Sequence, residues 1–529
     1  MDERENVKVA KAAGVVGFAT LLSRIFGFLR DMVVAAFFGA GLTTDAFFVA
    51  FRIPNLLRRL IGEGCLTVSF IPVFTEYLKT RSRKEAMDLA DSAFTALSII
   101  LVIITVLGIV FSPFIVTVTA PGFRRIPHHY ELTVFLTRLM FPYIFFISLV
   151  ALCMGILNSL RHFAAPALSP ILLNLAIIGA ALFGRDFFSE PVYALAVGVL
   201  LGGVLQLVFQ WPFLVQMGVK LRFRFDFSHP GLRRIGALML PAVFGAAIYQ
   251  INVFIGTILA SLLPKGSVSY LYYADRIVEL PLGIFAFAVG TAALPSLSEQ
   301  AVKEQYREMK RTISFSLSLI LFVTIPATVA LVYLRVPIIS VLFERGVFSL
   351  SDTLLTADAL LYYTLGLWAF SSVRVSVSAF YSLQDTRIPM KGAILALIVN
   401  VIMSLILMGP LKHGGLALAT SLGSAANVLY LSYVLWRRIG SFLERDFFTS
   451  LIKVSIASGV MLVAMMLCAR FYPWLEGAPF ASRAVYLALQ IGVGLFVFAW
   501  LAWLLKTREM TLLADALARK LGKQLTRRP

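Results

Sequence analysis

Charged residues are scarce in this sequence. Only 14% of its 529 residues are Asp, Glu, Lys or Arg, whereas 59% are hydrophobic and the mean hydropathy is +0.87. A soluble protein carries more charge, about a quarter of its residues. Apolar runs of about 20 residues, the length that crosses a bilayer, recur along the whole chain. The composition therefore argues against a soluble enzyme and predicts an all-α polytopic membrane protein.

Several chemical motifs are also missing. The sequence has no Walker A segment, no HExxH, no CxxC and no GxSxG. The three cysteines, Cys65, Cys153 and Cys468, lie far apart in apolar surroundings, which is typical of small buried side chains rather than of a metal site or a disulfide framework. We therefore expect no cofactor and no ATP hydrolysis. The membrane potential or an ion gradient is the expected driving force.

The apolar runs predict about fourteen transmembrane helices. Their predicted spans are 12–39, 44–75, 89–119, 131–160, 166–184, 191–217, 231–262, 268–298, 313–335, 354–382, 388–409, 413–436, 450–470 and 483–505. Loops and helix ends on the side of the termini hold 22 Lys and Arg residues and the C-terminal tail holds 7, against 9 on the opposite side. Because basic loops are cytoplasmic, both termini are predicted to be cytoplasmic. The net charge of +19 then reflects these loops rather than a nucleic-acid-binding surface.

A weak internal repeat is visible along the chain. Arg52 precedes Pro72 by 20 positions, and Arg276 precedes Pro295 by 19. The segments SLRHFAAP (159–166) and SLQDTRIP (382–389) also lie six predicted helices apart. We therefore predict two pseudo-symmetric six-helix lobes, 1–220 and 221–440, around a central cavity. Two further helices and a basic cytoplasmic tail make up 441–529.

Charged side chains inside the predicted spans are the candidates for a transport site, since each costs at least ~2.5–3.5 kcal/mol at the bilayer centre. The arginines are Arg24, Arg30, Arg52, Arg58, Arg59, Arg276 and Arg374, and the carboxylates are Asp31, Asp45, Glu63, Asp275 and Glu279. Guanidinium groups bind phosphate oxygens two at a time, so an excess of arginine predicts a pyrophosphate-binding cavity. The alternative is that the charges pair as struts between helices, but pairing leaves two arginines over.

Long segments of the chain resemble a known family. They are SRIFGFLRD (23–31), TDAFFVAFRIPNLLRRLIGEG (44–64), FIPVFTEY (70–77), PALSPILLNLAII (166–178), YYADRIVELPLGIF (272–285) and LPSLSE (294–299). These segments are similar to the MurJ (MviN) lipid II flippases of the multidrug/oligosaccharidyl-lipid/polysaccharide exporter superfamily. The resemblance implies alternating access in the bacterial inner membrane, with lipid II moved from the cytoplasmic to the periplasmic leaflet for peptidoglycan synthesis. It also implies a groove for the polyprenyl tail beside the last two helices.

The resemblance further implies site residues and partners. The essential cavity arginines of the family fall on Arg24, Arg30, Arg58 and Arg276. Its other cavity residues fall on Ser23, Asp31, Asp45, Glu63, Asn174 and Ser269. Arg52 stands where the family also has lysine or an apolar residue. The implied partners are lipid II and membrane lipids, with cell-wall synthesis proteins as further candidates.

Three other functions compete with this interpretation. A cation-coupled drug exporter of the same fold needs a cavity in which carboxylates prevail, whereas arginines prevail here. A flippase for another polyprenyl-diphosphate glycan satisfies the charge argument equally well. A membrane glycosyltransferase or phosphatase needs a carboxylate pair or a metal set and a soluble catalytic segment, and no predicted loop is long enough for one.

Overall fold

The computed structural model describes residues 3–58, 66–512 and 515; most of these residues are helical, and none forms a β-strand. The helices of the first part are α1 Glu3–Phe38, α2 Leu42–Leu57, α3 Thr67–Thr80, α4 Arg83–Val110, α5 Ser112–Thr119, α6 Pro127–Met140, α7 Tyr143–Ser159, α8 Ala164–Gly179 and α9 Val192–Gln216. Those of the second part are α10 Pro230–Ser261, α11 Ser267–Pro281, α12 Phe287–Val302, α13 Tyr306–Phe343, α14 Leu350–Thr364, α15 Leu367–Ser382, α16 Arg387–Ile439, α17 Arg445–Phe471 and α18 Phe480–Leu504. A non-helical residue, Lys412, joins two helices within α16.

Many of these helices turn apolar side chains outward. Within the described residues, eight helical stretches are long and apolar enough to cross a membrane. On α4, Val106 and Val110 are 53% and 62% exposed, which suits contact with lipid and not with water. The chain is therefore a multi-pass membrane protein, as predicted. The count of fourteen spans stays a prediction. Residues 59–65 of the span 44–75 lie outside the described residues, and the span 268–298 contains α11 and α12, joined by the π-helical turn Leu282–Ala286.

The helix boundaries support the duplication that the sequence indicates. Residues 38 and 261 end α1 and α10, and residues 83 and 306 begin α4 and α13. Residues 127 and 350 begin α6 and α14, and residues 216 and 439 end α9 and α16. Each pair is separated by the same 223 positions, so the same succession of helix boundaries occurs twice along the sequence. Helices α17 and α18 follow the second copy.

One turn recurs in detail between the two copies. Arg161 and Gln384 both have left-handed backbone conformations, with φ values of 62° and 56°. At each turn the next residue donates its backbone N–H five positions back, from His162 to Leu157 O (2.8 Å) and from Asp385 to Phe380 O (2.9 Å). This is the hydrogen-bond pattern of a Schellman helix end. The resemblance between SLRHFAAP and SLQDTRIP therefore extends to the backbone.

The contacts of the chain divide it into two units. The first contains residues 1–269 with 345–348, and the second contains 270–344 with 349–529. Phe70 and Phe74 are fully buried in the core of the first unit, and Ile313 and Phe380 in the core of the second. Helix α10 packs in the first unit, against α3 among others, although it opens the second repeat. The predicted boundaries at 220 and 440 describe the repeat and stay a prediction.

Candidate transport site

A buried polar cluster ties α1 to α8. The Arg30 guanidinium donates from Nε and Nη2 to Asp31 Oδ1, at 3.0 and 2.7 Å, and from Nη1 to Asn174 Oδ1 at 3.1 Å. Asn174 Nδ2 donates to the backbone oxygen of Ser23 at 3.3 Å. Arg30, Asp31 and Asn174 are only 8%, 1% and 7% exposed. Four predicted site residues therefore meet here, and the cluster fixes the orientation of the Arg30 guanidinium.

A glycine permits this close contact between the two helices. Gly27 lies on α1 between Ser23 and Arg30, and a Cβ atom at this position would lie 3.6 Å from Asn174 Nδ2. Side chains three or four positions apart share one face of a helix, so Ser23, Gly27 and Arg30 all face α8. The small residue lets the amide of Asn174 approach the α1 backbone.

Arg24 has a different environment from Arg30. Its side chain is exposed, and no other residue in the described part of the chain forms a hydrogen bond or ion pair with it. It lies seven positions before Asp31, on nearly the same face of α1. A guanidinium keeps its charge at any physiological pH, so this group requires water or an anion as a partner.

Asp45 binds the first turn of α11. Its Oδ2 accepts from the backbone N–H of Gly266 at 2.6 Å, and its Oδ1 accepts from the backbone N–H and the hydroxyl of Ser269 at 2.8 and 2.6 Å. Asp45 and Ser269 are 1% and 0% exposed. The first N–H groups of a helix have no intrahelical acceptor, and Gly266, at the start of α11, has no side chain to supply one. The carboxylate of Asp45 caps α11 in its place.

Two arginines of α2 contact neutral groups. Arg52 Nη1 donates to the hydroxyl of Thr257 on α10, which in turn donates to Val253 O at 2.9 Å. Arg58 Nε donates to Asn55 Oδ1 at 2.9 Å. Sequence reasoning missed both partners. The spacing of three positions on one helix gives a signal for Asn55, whereas nothing local in the sequence points to Thr257.

Arg276 belongs to the second unit, on α11. Its Nη1 donates to Glu279 Oε2 at 2.9 Å and its Nη2 to the hydroxyl of Tyr272 at 3.0 Å. The guanidinium also lies over the Tyr272 ring, 5.0 Å from its centre. The side chain of Arg276 keeps 32% of its surface exposed, so these contacts orient it without enclosing it. The sequence did not identify Tyr272 as a partner of Arg276.

Two of the predicted charges lie outside the described residues, namely Glu63 and Arg59. Among the residues that the structure does describe, no group of three or more His, Cys, Asp or Glu side chains is placed to hold a metal ion.

Many apolar helices that carry arginines are typical of a membrane transporter. A solved structure described as the inward-facing conformation of a multidrug resistance MATE family transporter of the MOP superfamily matches 81% of this chain and 98% of its own, with a TM-score of 0.66. The sequences are 16% identical, so this likeness concerns the fold alone.

The particular family follows from closer relatives. A family profile described as "Lipid II flippase MurJ" matches residues 34–483. A probable lipid II flippase MurJ of Buchnera aphidicola subsp. Acyrthosiphon pisum is 40% identical over 85% of this chain and 88% of its own length. The lipid II flippase MurJ of Burkholderia cenocepacia is 38% identical over 80% and 83%. A solved structure of a lipid II flippase MurJ in an inward closed conformation has a TM-score of 0.77 and 27% identity, covering 92% of this chain and 97% of its own. The chain belongs to the MurJ lipid II flippase family, which confirms the resemblance noted in the sequence.

Proposed function

We propose that this chain carries lipid II from the cytoplasmic to the periplasmic leaflet of the bacterial inner membrane by alternating access, with both termini in the cytoplasm. The names of its relatives support lipid II as the substrate. In this proposal Arg24, Arg30, Arg58 and Arg276 hold the diphosphate. The other predicted site residues orient these arginines or line the path.

The environment of Arg24 is the observation that carries the proposal. An exposed guanidinium with no partner among the described residues is costly within the predicted membrane span 12–39 unless water or an anion reaches it. Arg30 follows on the same helix, and the buried Asp31 and Asn174 hold its guanidinium in place. A diphosphate offers several oxygens, and each guanidinium binds two of them at once. One oriented arginine and one exposed arginine on α1 suit such a ligand.

An apolar recess beside the same helix supports an amphiphilic substrate. The recess has a volume of about 470 Å³ and is lined by Gly14, Val15, Phe18, Ala19 and Leu168. Phe18 precedes Arg24 by six positions, or about 9 Å along the helix axis. Six positions also turn the helix by about 600°, so Phe18 and Arg24 lie on different faces of α1. The apolar recess and the exposed Arg24 are therefore two separate features that suit an amphiphilic anion.

The membrane potential is the proposed driving force. A negative cell interior favours outward movement of an anion by ~2.3 kcal/mol per charge per 100 mV. A diphosphate carries at least two charges, so the potential biases each cycle towards the periplasmic leaflet. ATP hydrolysis by this chain plays no part in the proposal.

A cation-coupled drug exporter is the second candidate, since a MATE transporter has a similar fold. Such a transporter needs carboxylates to bind its cationic ligands. Here Asp31 is bound to Arg30, and Asp45 is bound to the first turn of α11. Both buried acids thus serve internal contacts, which favours an anionic substrate over a cationic one.

Flipping in proteoliposomes tests the proposal. Fluorescent lipid II is incorporated, and its appearance in the opposite leaflet is read from its accessibility to an added lipid II-degrading enzyme. Replacing Arg24 by Ala removes charged hydrogen bonds worth ~1.5–3 kcal/mol, so we expect a roughly 10- to 100-fold slower rate, with Arg24→Lys intermediate. Arg138→Ala is the matched control, because Arg138 is another exposed arginine of a predicted span and lies outside the proposed site.

The results separate the candidates. An unchanged rate in Arg24→Ala would show that Arg24 does not hold the diphosphate. Faster movement of a different polyprenyl-diphosphate glycan than of lipid II would favour a flippase for that glycan. In the host, depletion of the protein is expected to accumulate lipid II in the inner leaflet and to cause lysis. Unchanged lipid II distribution after depletion would contradict the assigned substrate.

A further inference from the structure

An extended segment after α9 combines basic and aromatic residues. Residues 219–227 read VKLRFRFDF and are neither helical nor part of a sheet. Phe223, Phe225 and Phe227 are 67%, 71% and 53% exposed. Residues two positions apart share one side of an extended chain, so the rings of Phe223 and Phe225 lie along the same side of the segment, and Phe227 follows in a turn.

Contacts with α4 hold this segment in place. The backbone N–H groups of Arg222 and Arg224 donate to Asp91 Oδ1 at 2.9 Å and to Thr95 Oγ1 at 2.7 Å. Asp91 and Thr95 lie one helical turn apart, so the segment runs along α4. The Arg224 guanidinium is 2.5 Å from the Asp88 carboxylate. The exposed phenylalanines are therefore presented by an anchored segment.

Both ends of the segment are also fixed. Before it, Arg83 Nη2 donates to Met217 O at 2.5 Å, beside a left-handed Gly218 with φ of +73°. After it, the His229 ring contacts the Tyr77 ring, with 5.7 Å between the ring centres. His229 Nδ1 also accepts from the backbone N–H that opens α10. A segment fixed at both ends and in its middle presents its side chains in one direction.

Unpaired positive charge accompanies the aromatic rings. Lys220 and Arg222 are exposed, and neither forms an ion pair with another residue of the described ranges. The same is true of Lys84, at the start of α4, and of Arg233, six positions after the segment in α10. The Asp91 carboxylate lies near Arg222 and the segment contains Asp226, but basic residues outnumber these acids, so the complementary surface is both negative and partly apolar.

The position of the 219–227 segment along the chain indicates which surface it faces. The membrane-spanning stretch Tyr193–Gln216 ends three residues before the segment begins, so the segment lies at a bilayer boundary. Aromatic and basic side chains are the usual anchors at the boundary between headgroups and acyl chains. We propose that the 219–227 segment is an interfacial anchor. In it Phe223, Phe225 and Phe227 enter the lipid boundary, and Lys220 and Arg222 bind the phosphates of anionic phospholipids.

A nitroxide label at position 225 tests the anchor. The three native cysteines are replaced by alanine, Phe225→Cys is labelled, and the protein is reconstituted into vesicles of phosphatidylcholine with or without phosphatidylglycerol. Collision of the label with oxygen, which prefers lipid, is compared with collision with a water-soluble nickel chelate. Phe187→Cys is the matched control, since Phe187 is 84% exposed and precedes α9, whereas the segment follows it.

The proposal makes distinct predictions for the two labels. At position 225 we expect the oxygen-to-nickel ratio to rise several-fold when phosphatidylglycerol is added, because each basic residue gains attraction to anionic lipid. Lys220→Gln with Arg222→Gln is expected to abolish that rise, and high salt to weaken it in the parent protein. The ratio at position 187 is expected not to respond to phosphatidylglycerol.

Three results would overturn the proposal. The label at 225 could stay in water in both kinds of vesicle. It could enter lipid equally in both kinds and in the glutamine variant, which would leave no role for anionic phospholipid. It could become shielded only after a cytoplasmic protein fraction is added, which would identify a protein partner. The salt and lipid responses of the parent protein decide the question even if the glutamine variant fails to fold, and neither depends on flipping activity.

Discussion

Two glycines that contact helix ends provide a sharp test of the packing in the first unit. A Cβ atom on Gly122 would lie 1.9 Å from the backbone oxygen of Ser261, at the end of α10. A Cβ atom on Gly346 would lie 2.2 Å from the backbone oxygen of Ala36, near the end of α1. Gly122 lies between α5 and α6 and touches α10, the first helix of the second repeat, whereas Gly346 lies between α13 and α14 and touches α1, the first helix of the first repeat. We expect alanine at either position to destabilise the protein.

The magnitude follows from these distances. Real Cβ atoms do not approach other atoms within 3.0 Å, so Gly122→Ala requires a displacement of about 1 Å in a backbone group. Overpacking costs ~1–3 kcal/mol, and a backbone carbonyl yields less easily than a side chain, so we expect about 3 kcal/mol. Gly346→Ala needs a smaller shift, but its φ of +59° adds ~1–2 kcal/mol for a left-handed alanine. The two variants should therefore lose similar amounts of stability.

The assay is unfolding in mixed micelles titrated with SDS, read as the change in the free energy of unfolding. Gly459→Ala is the matched control, because it lies inside α17 and a Cβ atom there has nothing within 4 Å. Alanine in a helix interior is favoured over glycine by ~0.5–1 kcal/mol, so the control should be slightly more stable than the parent. If Gly122→Ala has the same free energy of unfolding as Gly459→Ala, the close approach of Gly122 to Ser261 is refuted.

Two further stability predictions use the same assay. Asp45→Ala removes three buried hydrogen bonds to Gly266 and Ser269 and should lower the free energy of unfolding by about 3 kcal/mol. Ser269→Ala removes one side-chain hydrogen bond and should lower it by about 1 kcal/mol. A larger loss for Ser269→Ala than for Asp45→Ala would contradict the capping role of Asp45. Gln384→Gly should be more stable than Gln384→Ala by ~1 kcal/mol, because only glycine adopts the φ of 56° without strain; equal stabilities of the two variants would contradict this.

Local sequence was sufficient for the class and the organisation of this protein. Apolar runs of bilayer length predict membrane helices because each span must satisfy its own backbone hydrogen bonds. The duplication was visible as two short matches, and the constant spacing of helix boundaries supports it. The family resemblance, carried by long segments, is confirmed by the comparisons.

The candidate site was predictable only in part. The sequence pointed to Arg30, Asp31 and Asn174 as site residues, and the structure brings them together in one buried cluster. It did not show how each acid is used. Asp45 counted as a cavity carboxylate, whereas its hydrogen bonds to Gly266 and Ser269 are those of a helix cap for α11. The part that these residues play in binding substrate stays a prediction.

The sequence by itself determined that the chain spans the membrane, that it repeats, and that arginines occupy its spans, because composition and periodicity are local properties of a chain. Tertiary structure decided which groups meet. The contact of Arg52 with Thr257 joins positions 205 apart, and that of Asp45 with Ser269 joins positions 224 apart. Such pairs depend on how whole helices pack, so no local pattern specifies them. Packing likewise placed the 219–227 segment along α4 and left its phenylalanines exposed.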